Sequence, residues 1–418
     1  MTEKIYEWKD GAVLEEHSKC KHKILREYFF RYLIVRCQVP QQTKFRLAFV
    51  DGFAGGGRYK CGAPGSPIII LEELKKALDA VNLHRAASGL GAIDIECLMI
   101  LNDWEADALD SLKGHMAPVL GELQETTPRL HVQICYFNGA FETIFPSIEA
   151  TLAAGRYRNV VFNLDQCGHS HVERQTLVRI MRTYPSAEIF YTFMITALLG
   201  FLKKADPGKL QTQLKAVAPS PEQLERLNGA MSNTDWLGTA ERIVFETYES
   251  CAPYVSPFSI NNPGGWRYWL IHFANAYRGR QEYNNILHAN SSMQAHFGRS
   301  GLDMLSYDPR HHDGELYLFD LDGRERAKDQ LLEDIPRLIS DSGDVLPVAE
   351  FYEGIYNATP AHADDIHQAI IDNPDLEVLT PGGGTRRRAS TIAVGDVLRL
   401  KKQQSFFPMF LGSPPGKS

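Results

Sequence analysis

Residues 49–67, FVDGFAGGGRYKCGAPGSP, carry a hydrophobic run directly into an acid and then into a series of small residues. Phe45, Leu47, Phe49 and Val50 supply the β-prone stretch. Asp51-Gly52-Phe53-Ala54-Gly55-Gly56-Gly57 then lets the backbone turn tightly and approach a ligand without Cβ atoms in the way. The acid discriminates between ligands. A phosphate-binding glycine loop offers N–H groups and a helix N-terminus to an anion, and a carboxylate at its mouth would repel that anion. S-adenosylmethionine carries an ammonium and a sulfonium, which an acid attracts. Neither the Walker spacing with its Lys-Ser/Thr nor a strict G-x-G-x-x-G is present. The plainer alternative is a glycine-rich turn that holds nothing, a common feature of α/β domains.

Outward from the loop, strand and helix signals alternate. Ile24, Leu25, Tyr28, Phe29, Tyr32 and Leu33 recur at helical spacing within residues 15–37 and predict an amphipathic lead helix. Ser66 as cap and Pro67 in the first turn open a helix with Ile70, Leu71, Leu74 and Leu78 on one face. Residues 80–94 read as a loop or short insertion. Strands follow at 95–101, ending at Asn102-Asp103, then at 130–137, 158–164 and 188–194, with helices at 105–113 and 171–183 between them. Helical stretches at 208–216, 220–231 and 237–249 form an insertion spanning about 197–250, after which the sheet resumes at 266–274 and a helix follows at 280–290. The expected fold is a Rossmann-like, mostly parallel α/β sheet covered on both faces.

The last hundred residues read as a separate unit, dividing the chain into 1–320 and 323–418. Ala327, Leu331, Ile335 and Leu338 define one helical face, and Val348, Phe351, Tyr352 and Ile355 a second. Thr359-Pro360 starts a third helix, with Ala363, Ile366 and Ile370 inward. A hairpin follows, with strands at 376–379 and 397–400 around Pro381-Gly382-Gly383-Gly384 and the triple arginine 386–388. This is the element order of a winged helix-turn-helix. Asp364 and Asp365 on the third helix oppose ordinary major-groove docking, so phosphate contacts by Arg386, Arg387, Arg388, Arg399, Lys401 and Lys402 are the expected way of holding DNA or RNA. A domain used only for protein contacts is the alternative.

Charge and cysteine usage set the class. The 418-residue chain has a net charge of −7. Residues 385–418 hold seven Lys/Arg and one Asp, or +6, so the remainder carries 37 basic against 50 acidic groups, or −13. A polyanion would bind the basic end. Seven cysteines, at 20, 37, 61, 97, 135, 167 and 251, lack CxxC pairing, which argues against a disulfide framework or zinc site. With no apolar run of membrane length and no apolar signal core at the N-terminus, a cytoplasmic protein without membrane attachment is expected.

Taken together, HSKCKHKILREYFFRYL (17–33), VDGFAGGG with the following GSP, NLDQCG (163–168) and WRYWLIHFANAYRG (266–279) resemble the three-Cys-motif partner (TcmP) family. The resemblance spans nearly the whole chain, including the C-terminal winged helix. It implies a class I S-adenosylmethionine-dependent methyltransferase fold, that cofactor, and a companion protein bearing three cysteines. Asp51, Gly52, Phe53, Ala54, Gly55 and Gly57 would line the methionine half of the cofactor. Asp103 is the candidate acceptor for the ribose hydroxyls, a residue type found at that place in nucleotide-binding α/β sheets; the plainer alternative, compatible with it, is an N-cap for the helix at 105–113. Asn138, with Gly139 to Phe141, is a candidate for framing the adenine. Asp165 ends the fourth strand, where it would orient the methyl acceptor. Gln166-Cys167 stands where the family pattern has Pro-Phe, which removes the stacking ring used in base amine methylation. A Cys167 thiolate nucleophile and acid-base roles for His169 and His171 are weaker alternatives. Two functions remain open: a methyltransferase acting on nucleic acid or a nucleic-acid-associated substrate, and a non-catalytic winged-helix regulator or partner subunit.

Overall fold

The computed structural model describes residue 8 and residues 11–166, 171–194, 220–228, 233–256, 258–261, 267–290, 293–295, 301–302, 317–319 and 321–401. The lead helix α1 (Glu16–Arg36) buries the six apolar residues expected of it. It lies beside α2 (Ser66–Ala87), and Arg26 spans the two by donating to Glu73 at 2.8 Å and Glu72 at 2.7 Å. Between them runs β1 (Lys44–Asp51), alternating at its start and then wholly buried from Leu47 to Asp51. That change of pattern marks a central strand covered on both faces.

β1 pairs in parallel with β2 (Asp94–Asp103) on one side and β4 (Asn159–Leu164) on the other. β2 continues to β3 (Leu130–Asn138), and β4 to β5 (Ser186–Phe193), again in parallel. The strand order is therefore β3-β2-β1-β4-β5, which reverses between β1 and β4 as in doubly wound sheets. The next neighbour, β8 (Arg267–Ala274), runs antiparallel to β5. It also pairs with β6 (Tyr254–Val255) and β7 (Phe258–Asn261), and beyond β7 lie β9 (Met293–Ala295) and β10 (Tyr317–Leu318). One core layer joins α1, α2 and α3 (Ala106–Thr126) to the sheet; the other joins α4 (Phe141–Ala154), α5 (Arg174–Thr183) and, from the insertion, α7 (Asn233–Glu249). Each fully buried Leu or Phe in these layers contributes roughly 1.5–3 kcal/mol. The insertion also contains α6 (Pro221–Asn228); the helix expected at 208–216 lies outside the described residues.

Two local expectations are corrected. Residues 80–87 continue α2, which runs to Ala87 and ends before Gly89 at φ +69°. Arg85 on this extra turn is buried, and its guanidinium donates to the carbonyls of Val39, Pro40, Gln42 and Gly91, a use of polarity that periodicity alone does not reveal. Likewise α3 runs on past Gly114 to Thr126, because Gly114 and Gly121 face open space and Pro118 is accommodated within the helix.

The C-terminal unit has the expected order. α8 (Tyr277–His288) precedes it in the chain, and the unit comprises α9 (Leu321–Asp341), β11 (Val345–Pro347), α10 (Val348–Ile355), α11 (Ala363–Asp372), β12 (Leu376–Leu379) and β13 (Val397–Leu400). The three strands form a sheet in the order β11-β13-β12. The unit is joined to the larger domain by α8. Fully buried Arg280 donates to the Tyr356 carbonyl at 3.0 Å and reaches Thr359 O at 3.4 Å, with its guanidinium over the Phe258 ring. Among the described residues no helix is long and apolar enough to cross a membrane, and Cys37, Cys61, Cys97, Cys135 and Cys251 form no disulfide.

Candidate active site and nucleic-acid interface

The reversal between β1 and β4 lies at the carboxyl ends of the strands, the place where ligands of doubly wound sheets bind. The glycine loop occupies it. Three backbone bonds fix the loop to its neighbours: Gly52 N to Asn163 O (3.0 Å), Ala54 N to Asn102 O (2.8 Å) and Gly65 N to Gly57 O (2.7 Å). Gly55 and Gly57 adopt φ +61° and +85°, the left-handed region that favours glycine. Asn102, almost fully buried, donates to both Gly52 O (3.0 Å) and Gly139 O (3.1 Å), joining the turns that follow β1 and β3.

Asp51 is completely buried within this frame. It accepts from Ser66 Oγ at 2.6 Å, Asn163 Nδ2 at 3.1 Å and Phe53 N at 3.2 Å. Its carboxylate thus organises the loop from beneath. Ser66 is correspondingly not the cap of α2: Gly65 holds that position, and the Ser66 hydroxyl turns to Asp51. Burial pushes the Asp51 carboxyl up to about 7; the three hydrogen bonds pull against that, and nearby Asp165 adds to it.

Asp103 stands at the end of β2. Its Oδ2 accepts from Gly55 N (2.8 Å) and its Oδ1 from Glu105 N (3.0 Å), so one side chain ties the glycine loop to the entry of α3. Burial raises its pKa, and these backbone bonds counter the rise. With Trp104 N–H a third donor, one of the carboxylate's four acceptor sites remains. Asn138 donates to the carbonyls of Asp103 (2.9 Å) and Trp104 (3.0 Å) and so braces the same corner. The Trp104 ring beside it is 74% exposed, a flat aromatic surface that motif reading passed over. Phe53 packs toward Phe141 and His171, with centroids 5.9 and 6.4 Å away.

Asp165 has a partner that sequence reading missed. Lys21 of the lead helix reaches its two oxygens at 2.5 and 2.7 Å, across 144 positions of chain. Burial pushes the Asp165 carboxyl up, but Lys21 and a hydrogen bond from Thr192 outweigh that, and the group is held below the usual carboxylate range. Here Lys21, His22, Asn163, Asp165, Phe190 and Thr192 surround a cavity of about 10 Å³, at the threshold for a single water. His22 is pushed down to about 4, chiefly by burial, and is neutral near pH 7. A lysine within a lead helix carries no signal beyond its helical position. Gln166 donates to Tyr191 Oη at 2.8 Å and accepts from His171 N at 2.9 Å, a structural role. Cys167 and His169 lie outside the described residues.

Trp8 is the second feature that sequence reading passed over. A Cβ placed on Gly55 would lie 2.4 Å from Trp8 Cζ2, and one on Gly56 2.6 Å from Cε3. The indole therefore rests directly on the glycines whose missing side chains leave room for it.

On the winged unit the basic residues divide. Arg386 donates through two nitrogens to buried Asp396 (2.9 and 3.0 Å), Arg399 pairs with Glu377 (2.7 Å), and Lys401 donates to Pro374 O (2.6 Å). The side chains of Arg387 and Arg388 are exposed and make no hydrogen bond or ion pair among the described residues. Lys402 lies outside them. Of the two acids on α11, Asp364 faces solvent whereas Asp365 is buried against Arg324 (2.5 and 3.0 Å).

Residues 306–383 match a family described as the GMT-like wHTH domain. The match agrees with the winged helix of the fold and stops short of Arg386. No curated protein matches the chain.

Proposed function

We propose that the chain is an S-adenosylmethionine-dependent methyltransferase acting on nucleic acid or a nucleic-acid-associated substrate. The observation that carries this reading is the gathering of the glycine loop, Asp103, Asn138 and Asp165 along the carboxyl edge of one parallel sheet, around its point of reversal. The residues fit the cofactor. The remaining acceptor site on Asp103 suits a ribose hydroxyl, and the exposed Trp104 ring suits an adenine face. Asp51 holds the glycine loop in place, and the backbone of Gly55 and Gly56 is open to the cofactor once the Trp8 indole moves off it. When bound, the cofactor supplies an electrophilic methyl group.

The remaining work falls to the chain. Asp165, kept ionised by Lys21, is an acceptor for the hydrogen of an N–H or O–H nucleophile and orients its lone pair. Thr192 fixes the carboxylate from a second direction. The attached winged helix is a module type frequent in nucleic-acid binding, which supports that substrate class.

A second reading, a non-catalytic winged-helix regulator or partner subunit, draws on the position of Trp8, since the chain's own indole rests where a ligand would meet Gly55 and Gly56. Incubation with methyl-labelled cofactor separates the two, using duplex DNA, RNA and protein fractions as acceptors. The expected result is label in nucleic acid that disappears in Asp165→Ala. Absence of label from every fraction favours the second reading.

A further inference from the structure

A DNA-reading helix-turn-helix places its second helix in the major groove, with the N-terminal residues toward the bases. In this chain that end of α11 is occupied by the larger domain. Ala363 N donates to Asn285 Oδ1 of α8 at 2.9 Å, while Asp365 is taken up inside the winged unit by two bonds from Arg324 of α9. The turn leading into α11 is bound as well. Asn284 donates to Thr359 O at 3.0 Å, and His288 Nε2 donates to Pro360 O at 3.0 Å. The solvent face that remains is Asp364, Gln368 and Asp372, at successive four-residue steps, with Gln368 Nε2 donating to Asp372 at 2.7 Å. Two carboxylates on this face repel phosphate.

The wing is arranged in the opposite sense. Its turn is closed by Thr380 N to Gly384 O at 2.8 Å and passes through Gly383 at φ +82°. Arg386 is consumed in anchoring the strand to buried Asp396, which fixes the backbone from which the next two arginines project. The charge of the chain is divided along the same line, +6 over residues 385–418 against −13 elsewhere. We propose that this protein holds a nucleic-acid duplex by its phosphodiester backbone through Arg387 and Arg388 of the wing, while α11 serves as the joint between the two domains and reads no bases. This rests on the nucleic-acid part of the proposed function and is independent of methyl transfer.

The test is fluorescence anisotropy of the full chain with a labelled 20-bp DNA duplex and an RNA duplex of the same sequence, between about 50 and 200 mM salt; two phosphate contacts correspond to a log-log salt slope of about −2. Arg387→Ala/Arg388→Ala is expected to flatten the slope and weaken binding by about tenfold per arginine at low salt. Scrambling the duplex sequence, or the pair Asp364→Ala/Gln368→Ala, should leave affinity within about twofold, a change too small for a lost base contact. Whichever duplex binds, loss of that binding in the arginine variant identifies the wing chemistry and its source. The proposal is overturned if neither duplex binds, if the arginine variant binds normally, or if the α11 variant is the one that weakens. Calorimetry with S-adenosylmethionine on the unmodified chain reports separately on the methyltransferase reading, so the two can fail independently.

Discussion

Lys21→Met is expected to destabilise the protein by about 3–5 kcal/mol, because it leaves Asp165 a largely buried carboxylate without its counter-ion. The loss is read as a fall in the urea midpoint of unfolding. Asp165→Asn introduced into the same variant should restore most of it, since the uncompensated charge is then gone. Thr192 alone cannot replace an ammonium that reaches the carboxylate at 2.5 and 2.7 Å. Equal stabilities for the single and double variants would show that the pair is solvated and carries little weight. The effect spreads beyond the pair, since Asp165 already raises the pKa of Asp51, and removing Lys21 removes the cation that balances the crevice.

Asp51 provides the second large effect, expressed through pH. Its carboxyl titrates near 7 in the folded chain and near 3.9 when unfolded, so between those values the folded state retains a proton that the unfolded state has released. Stability from this group therefore falls as pH rises from about 4 to 7, by up to about 4 kcal/mol. Asp51→Asn cannot ionise. The stability of the native chain relative to this variant should decline across that window and level off above it, as measured by denaturant unfolding at a series of pH values. At low pH the native chain retains the advantage of its hydrogen bonds from Ser66, Asn163 and Phe53. Parallel pH profiles for the two proteins would contradict the burial argument.

Much of the scaffold is legible in the chain because apolar runs announce buried parallel strands. Phe45 to Val50, Ile95 to Leu101 and Val160 to Leu164 each become a central strand, and small residues after the first become the loop. The three helices and the hairpin of the C-terminal unit are equally visible from periodicity and glycine placement. What escapes is long-range pairing. Lys21 and Asp165 meet only because α1 runs along β4, from Arg36 beside Asn159 at its start to Lys21 beyond its end, and Arg324 meets Asp365 only because α9 folds back on α11. Composition counts three wing arginines as equivalent, whereas Asp396 takes one of them. Trp8 offers no local sign that it will rest on glycines almost fifty residues further along the chain.

The central claim, a crevice built for S-adenosylmethionine, is tested most directly by isothermal titration calorimetry of that ligand and S-adenosylhomocysteine into folded protein freed of carried-over ligand. The predicted result is micromolar binding of both, lost in Asp103→Ala. An absence of binding by the unmodified protein would contradict the claim and leave the winged helix as the working part.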